Sequence, residues 1–490
     1  MLDSNFKLRN MKLKILSILF VGAVFASCQK DRLNPIPQTS LSDAVAFDTP
    51  ERALQQVNGI YSALKAGAFY AGRYQNYQDI RGEEFLNLTN NGVTNFLTWN
   101  FTGSPTTNEV QNFWASAYAC INRANVVIAG LTESPIAENL RKQYTAEAKL
   151  VRATAYFSLL QLYARPYTEG NGSKPGVPLR LEAITSSGSN LIKRSTVAEV
   201  YAQIVKDLNE AEVDLPLNYS SAELNTTRAH RNTAIALKTR VYLSMGQYAN
   251  VITEGNKIVS AAAPYQASTG VNNKLNANIA TTFLPPYTSN ESMWSAPFTG
   301  LDLPGTQNSL GSYYNPGPAG AGDYALNTTG NGIAASTAWS AGDARRLFNI
   351  AQGGQTYLRK WPNNAGSVPD WAPIVRYSEV MLNLAEAEAR QGTGVSARAL
   401  ALVNAVHQRS DPSVTLAPAT QADLIDAILT ERRIELLGEG FRTSDVTRTG
   451  ANFAAKGSVS AYGPASTLYI WPISNSELVT NKEMEQNPGY

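Results

Sequence analysis

The sequence predicts a mainly α-helical, solenoid-like protein that is interrupted by one irregular, loop-rich lobe. Pairs of runs with apolar residues at helical spacing recur in both halves of the 490-residue chain. In residues 265–373 that periodicity stops, and Gly, Asn, Ser, Thr and Pro dominate. Because this segment also carries Trp and Tyr residues that can pack, it is expected to fold as a lobe, with short strands around SMWSAPF and TYLRKW.

Residues 1–28 have the pattern of an export signal. Lys12 and Lys14 precede an apolar run that is too short to span a bilayer, and small residues then lead to Cys28. The FASC stretch resembles a lipoprotein-processing box, so Cys28 is expected to carry the lipid anchor, and either Met1 or Met11 can be the start. Residues 29–40 are polar and contain prolines, which predicts a tether.

Residues 41–264 are predicted to form an N-terminal region of helical repeats. Thr49 and Pro50 indicate a helix start, because Thr is a favoured cap and Pro fits the first turn. Thr196 and Glu199 have the spacing of a capping box. Apolar periodicity predicts further helices at Val110–Leu131, Glu138–Tyr163, Thr233–Leu243 and Tyr248–Ile258.

Residues 374–490 are predicted to contain an antiparallel helix pair, starting at Ile374 and ending near Gly438, and then closing loops. Glu431, Glu435 and Glu439 lie four residues apart in the second helix, with arginines among them. A neighbouring Arg lowers the pKa of a carboxyl group, whereas a general acid needs a raised pKa. The pattern therefore favours an ion-pair network over a catalytic pair.

Composition excludes several kinds of function. The net charge is +2 and no basic run is present, which argues against a nucleic-acid partner. Only two His and two Cys occur, and no P-loop, HExxH or GxSxG motif is found, so no cofactor, metal site or catalytic residue is predicted. His230, His407 and Cys120 are expected to pack or cap within helices. A chain poor in charge suits a neutral ligand.

Two segments resemble motifs of the SusD/RagB family of outer-membrane nutrient-binding lipoproteins. They are RYSEVMLNLAEAEA, within Ile374–Ala389, and ERRIELLGEGFRTSDVTRTG, at Glu431–Gly450. The resemblance implies tetratricopeptide-like repeats and a lipid-anchored position on the cell-surface side of the outer membrane. It also implies oligosaccharide capture, without catalysis, and delivery to a SusC-like TonB-dependent transporter as partner.

The resemblance also places ligand contacts at Asp79, Arg81, Trp99 and Asn100. From the lobe, aromatic candidates are added because flat rings stack on the C–H faces of sugars; they are Tyr313, Tyr314 and Trp339. The site is expected where the lobe meets the N-terminal helices. Each candidate has a structural alternative: Asp79 and Arg81 can pair with each other, and Trp99 can belong to the core.

Two other functions stay open from the sequence. A helical-repeat scaffold or a peptide-binding envelope lipoprotein would share the helices, although a pure scaffold does not require a lobe rich in aromatic residues. An extracellular glycoside hydrolase would need two carboxylates across a cleft, and the resemblance supplies none.

Overall fold

The computed structural model describes residues 45–186, 188, 191–364 and 367–490. The predicted signal peptide, Cys28 and the tether lie outside the described residues. The helices are α1 Pro50–Leu64, α2 Arg73–Ile80, α3 Phe96–Trp99, α4 Asn108–Thr132, α5 Glu138–Tyr163, α6 Val197–Asp214, α7 Ala222–Thr227, α8 Arg231–Ser244, α9 Tyr248–Gly255, α10 Leu310–Tyr314, α11 Tyr377–Gln391, α12 Ala397–Ser410, α13 Gln421–Glu435, α14 Arg442–Arg448 and α15 Asn475–Thr480. The strands are β1 Phe85–Asn87, β2 Ser292–Ala296, β3 Tyr324–Leu326, β4 Asn349–Gln352, β5 Gln355–Leu358 and β6 Ala372–Arg376.

The long helices pack one against the next in a continuous series. α1 contacts α4, α4 contacts α5, and the series continues through α6, α8, α9 and α11 to α12 and α13. Two of these helices begin at the predicted capping residues. The Thr49 side chain accepts the N–H of Arg52 at the start of α1, and Thr196 and Glu199 form the expected capping box at the start of α6. The predicted mainly α, tetratricopeptide-like superhelix with an inserted lobe is confirmed.

The closing segment returns to the N-terminal helices and completes their core. The N–H of Trp471 donates to the carbonyl of Leu162 at 2.7 Å, and Phe113 stacks on Tyr163 with ring centroids 5.8 Å apart beside the Trp471 ring. Cys120 is buried in the same core, and burial raises the pKa of its thiol to about 12. The closing segment and the N-terminal helices therefore share one hydrophobic core.

The lobe is tied to both ends of the helical series by two-stranded antiparallel sheets. β1, from the N-terminal region, pairs with β3 in the lobe, and β2 pairs with β6, which leads directly into α11. β4 and β5 form a hairpin inside the lobe. Two of the strands, β2 and β5, occur where short strands were predicted.

Three element boundaries differ from the prediction. The chain from Ile374 to Arg376 is a strand, and the helix begins at Tyr377, because this apolar run pairs its backbone with β2. The predicted C-terminal helix pair contains a third helix, α12, between its two members. α13 ends at Glu435, and Gly438, with a φ of +83°, leads the chain into a turn before α14.

The predicted ion-pair network exists and joins the lobe to the C-terminal helices. The Glu435 carboxylate accepts from Arg376 at 2.9 Å, from Arg345 of the lobe at 3.0 Å and from Arg409 at 2.6 Å. Burial alone raises the pKa of Glu435, but Arg409, Arg376 and Arg345 hold it well below its usual value. The arginines therefore keep the Glu435 carboxylate ionised in the interior, whereas a general acid needs a raised pKa.

Candidate functional site

Asp79 is buried and does not reach the surface, and its carboxylate caps the start of α14. Its carboxylate accepts the backbone N–H groups of Gly440 at 2.8 Å, Phe441 at 3.1 Å and Arg442 at 3.2 Å, at the start of α14. Burial raises its pKa to about 7, although these three N–H groups act in the opposite direction. Asp79 thus joins α2 to the C-terminal region.

Arg81 is also buried and does not pair with Asp79, so that sequence-based alternative is wrong. Its Nη2 donates to the carbonyls of Leu468 at 2.8 Å and Tyr469 at 3.0 Å. The guanidinium lies 5.0 Å from the ring centroid of Phe101 and 4.9 Å from that of Phe453. Burial lowers the pKa of Arg81 to about 10. This side chain holds the closing segment in place.

The three aromatic candidates of the lobe are interior residues as well. Tyr313 and Tyr314 have no exposed surface, and Trp339 is 2% exposed. The Tyr314 ring stacks on Phe85, and Arg346 covers the Trp339 ring at 4.1 Å from its centroid. None of these rings offers a face to solvent. Together with Asp79 and Arg81 they support the fold beneath the surface, which corrects the interpretation of all five as direct ligand contacts.

Trp99 and Asn100 end the short helix α3, and only Asn100 reaches the surface. Trp99 is 4% exposed, and its indole N–H donates to the carbonyl of Phe85 at 2.8 Å. Phe96, one turn earlier, stacks on Trp99 with centroids 6.0 Å apart and stays partly exposed. Trp99 is therefore the support of the exposed ring and not the ring that a ligand would meet.

Phe96 and Asn100 lie side by side because residues four apart share one face of a helix. The N–H of Asn100 donates to the carbonyl of Phe96 at 2.9 Å, which fixes this turn. The side-chain amide of Asn100 has no hydrogen-bond partner among the described residues. An open aromatic ring therefore adjoins an amide that can both donate and accept.

We call residues 86–100 together with the turn 456–458 the loop face. Residues 86–100 contain no charged side chain. The turn contacts this segment closely, since a Cβ added at Gly457 would lie 3.5 Å from atoms of Leu86 and Trp99. Lys456 is buried, and its ammonium donates to the carbonyls of Ile80 and Gly82. The exposed part of the loop face is thus neutral.

The loop face is held in a fixed and locally strained conformation. The Tyr324 hydroxyl donates to the carbonyl of Thr94 at 2.6 Å, and the Asn95 amide donates to Asn76 at 2.7 Å. Asn95 has a φ of 76°, and Phe101, just past the segment, has a φ of 57°. Such values persist only where the surroundings impose them, and they concentrate at binding sites. The geometry is typical of a preorganised recognition surface.

Sequence analysis named Trp99 and Asn100 in this segment and did not name Phe96. The available signal was the NFLTWN segment, in which an aromatic residue precedes an amide by four positions. The carbonyl of Phe85, on strand β1, accepts the indole N–H of Trp99 and so holds that ring inward. Because Phe85 belongs to a different element, the sequence around Phe96 and Trp99 did not indicate this contact.

Comparison with known proteins identifies the family. The fold matches the crystal structure of a SusD superfamily protein from Bacteroides fragilis with a TM-score of 0.81 and 32% identity, over 90% of this chain and 100% of that chain. The chain belongs to the SusD/RagB family. The SusD family model matches residues 339–490, and a model described as "Starch-binding associating with outer membrane" matches residues 38–243.

Other SusD-like relatives span nearly the whole length of this chain. SusD-like protein P38 of Formosa agariphila is 26% identical over 99% of this chain and 100% of its own length. The surface glycan-binding protein A of Bacteroides thetaiotaomicron, solved in complex with laminarihexaose, is 18% identical with a TM-score of 0.70, over 89% of this chain and 99% of its own. At that identity the likeness concerns the fold.

The structure also bears on metal binding and on membrane-spanning helices. Within the part of the chain that the structure describes, no cluster of three or more His, Cys, Asp or Glu side chains is placed to hold a metal ion. Among the same residues, no helix combines the length and the apolar character needed to cross a membrane.

Proposed function

We propose that this SusD-like chain is a glycan-binding lipoprotein of the cell surface, which captures oligosaccharides at the loop face. The observation that carries the proposal is the pairing of the partly exposed Phe96 ring with the unpartnered Asn100 amide on a neutral surface. Sugar rings present C–H faces that stack on aromatic rings, and their hydroxyls bond to amides. Because Trp99 and strand β1 already hold this geometry, little conformational entropy is lost on binding.

Relatives support this choice of ligand. The family model that matches residues 38–243 is described as starch-binding, and the Bacteroides thetaiotaomicron neighbour was solved with laminarihexaose. A sugar-stacking site with a few hydrogen bonds has modest affinity, because each polar contact replaces one to water and nets about 0.5–1.5 kcal/mol. Binding in the micromolar range or weaker is therefore expected.

The test is a screen of the purified protein against a glycan panel, followed by Phe96→Ala with the best ligand. Loss of the ring should weaken binding about two- to twelve-fold, as stacking contributes about 0.5–1.5 kcal/mol; because Phe96 also packs against the core, binding is measured well below the melting temperature of the variant. Leu347→Ala is the control, since this side chain is also apolar and 82% exposed but lies outside the loop face. Parental affinity in Phe96→Ala would place the ligand elsewhere. New reducing ends during incubation would instead indicate a glycoside hydrolase.

The proposal includes lipidation at Cys28, attachment to the outer membrane and delivery to a SusC-like TonB-dependent transporter. The apolar run followed by FASC supports the anchor, and the matched family description supports the outer membrane. Cys28→Ala should yield soluble protein or an unprocessed precursor; normal processing and membrane fractionation of that variant would contradict lipidation. After mild detergent extraction a large integral membrane partner should copurify, and recovery of the protein alone would contradict the pairing.

A further inference from the structure

A second concave site lies away from the loop face, where α1 and α7 meet strand β2 of the lobe. It is a cavity of about 270 Å³, and none of its lining residues belongs to the loop face. One wall is a single face of α1, on which Asn58, Tyr61, Ser62 and Lys65 follow one another at helical spacing. The opposite wall is β2, with Trp294 and Ser295.

The cavity contains polar groups that the protein does not satisfy. Trp294 is 1% exposed and Ser295 is 5% exposed, and among the described residues neither the indole N–H nor this hydroxyl has a hydrogen-bond partner. Neither atom is fully enclosed, so water or a ligand in the cavity can bond to both. At the mouth, the side chains of Asn58 and Ser62 are exposed and likewise unpartnered within the described chain. These four groups can all bond to one occupant.

The two rings of the cavity form a rigid corner. The Tyr61 hydroxyl donates to Glu147 at 2.7 Å and accepts the N–H of Ala229 at 2.9 Å, so its ring cannot turn freely. The Trp294 ring stands nearly perpendicular to it, at 85° and 6.4 Å between centroids. Trp294 is 1% exposed and can offer no more than an edge, so a flat, partly apolar ligand would rest on the partly exposed Tyr61 ring.

The charges of the cavity are already neutralised, which selects a neutral occupant. Arg228 binds the Glu147 carboxylate with two hydrogen bonds, of 3.0 and 2.6 Å. The Lys65 ammonium pairs with Asp302 and also donates to the carbonyl of Pro297 at 3.1 Å. A ligand with its own charge would have to break one of these pairs, whereas a ligand with hydroxyls can use the four unpartnered groups.

We propose that this cavity is a second sugar subsite, which takes a terminal, uncharged pyranose of the captured glycan; the inference rests on the proposed function. A pyranose has the required apolar face and ring of hydroxyls. The volume lies just below the range of about 300–1,000 Å³ that holds drug-sized ligands, so it suits one chain end and not an extended oligosaccharide. The cavity thus binds a terminal sugar of the glycan, while the loop face binds sugars elsewhere along the chain.

The experiment observes Trp294 directly. The chain has seven Trp residues, and labelling with 5-fluorotryptophan gives each a ¹⁹F resonance, with Trp294→Phe and Trp99→Phe used only for assignment. Glucose, galactose, mannose and N-acetylglucosamine are titrated separately as probes. At least one should shift the Trp294 resonance saturably. Asn58→Ala combined with Ser62→Ala should weaken that titration by about two- to twelve-fold for each lost hydrogen bond. Gln55→Ala, on an exposed position of α1 outside the cavity, should leave it unchanged.

The outcomes separate this inference from the proposed function. Phe96→Ala should weaken binding of the panel glycan but leave the Trp294 titration as in the parent. If none of the four sugars shifts the Trp294 resonance, or if the double variant titrates as the parent does, the second subsite is wrong even when the loop face binds glycan. If Trp294 responds while Phe96→Ala has no effect on glycan binding, the loop face is wrong and the cavity stands.

Discussion

The C-terminal ion-pair network and the loop face use polar groups in opposite ways. In the network, Glu435 is fully buried and both of its carboxylate oxygens accept hydrogen bonds from arginines, namely Arg345, Arg376 and Arg409. On the loop face, Asn100 is partly exposed and its side-chain amide is unpartnered within the described residues. The first arrangement uses ion pairs to hold structural elements together. The second leaves an uncharged hydrogen-bonding group available for a ligand.

Under the proposed function, the difference separates residues that stabilise the fold from residues that bind the ligand. The network residues come from the lobe, from β6 and from α12 and α13, and several pairs, such as Arg345–Glu431 and Arg376–Glu291, link elements that are far apart in sequence. The recognition pair Phe96 and Asn100 lies within one helical turn, so its geometry needs only a local scaffold. Substitutions in the network should change stability with binding preserved, and substitutions on the loop face should do the reverse.

The largest effect is expected from Glu435→Ala. Three arginines would lose their common carboxylate in the interior, and breaking a buried pair costs about 3–5 kcal/mol, a large share of a total stability of about 5–15 kcal/mol. Thermal unfolding should show a markedly lower melting temperature, with glycan affinity unchanged below it. Asp426→Ala, an exposed carboxylate on the same helix, is the matched control. A parental melting curve combined with lost binding would reverse the roles of the two regions.

A smaller loss of stability is expected from Asp79→Ala. Three backbone N–H groups at the start of α14 would lose their acceptor in a buried place, which costs about 1–3 kcal/mol for an unsatisfied group. Asp79→Asn keeps one acceptor oxygen and should lose less. Both should bind glycan as the parent does, by isothermal titration. Weakened binding with normal stability would return Asp79 to the ligand site.

These two residues also show what the sequence could and could not predict. Helix α5 has the predicted bounds Glu138–Tyr163, because apolar periodicity is a local property of the chain. The role of Asp79 depends on backbone donors more than 300 positions away, which no local pattern contains. The same holds for β6, whose apolar run is compatible with a helix until β2 supplies its partner. The dense charges of residues 431–448 indicated ion pairs, but Arg345, Arg376 and Arg409, which pair with Glu435, lie outside that segment and could not be predicted from it.

On the loop face, Asn100→Ala should affect binding alone. The variant removes an amide that the fold does not use, so we expect affinity to fall about two- to twelve-fold, from a net hydrogen-bond contribution of about 0.5–1.5 kcal/mol. The melting temperature should stay within the small range of surface substitutions. Thr102→Ala, two residues on and exposed, is the control. A large drop in melting temperature would show that Asn100 belongs to the fold, as Trp99 does.

The smallest effect is a pH dependence of stability to which the His407–Glu431 pair of the network contributes. His407 lies 2.8 Å from Glu431, and this hydrogen bond raises the pKa of the imidazole above its ordinary value despite partial burial. A raised folded-state pKa stabilises the protein fully below the unfolded pKa of about 6.5, and that stabilisation is lost as pH rises through the folded pKa. Melting temperature should therefore fall as pH rises above about 6.5.

The difference between the parent and His407→Gln isolates this contribution. Burial raises the pKa values of Asp79 and Glu109 to about 7, so both also lose stabilising free energy as pH rises toward 7, but they do so equally in the two proteins. The His407→Gln variant should show a shallower decline of melting temperature above neutral pH. Glycan affinity should change with pH to the same extent in the two proteins, because Glu109, which accepts the N–H of Thr98 in the loop face, titrates in both. A pH-dependent affinity that disappears with His407→Gln would mean that the network and the loop face are coupled, and the separation between the two regions would then fail.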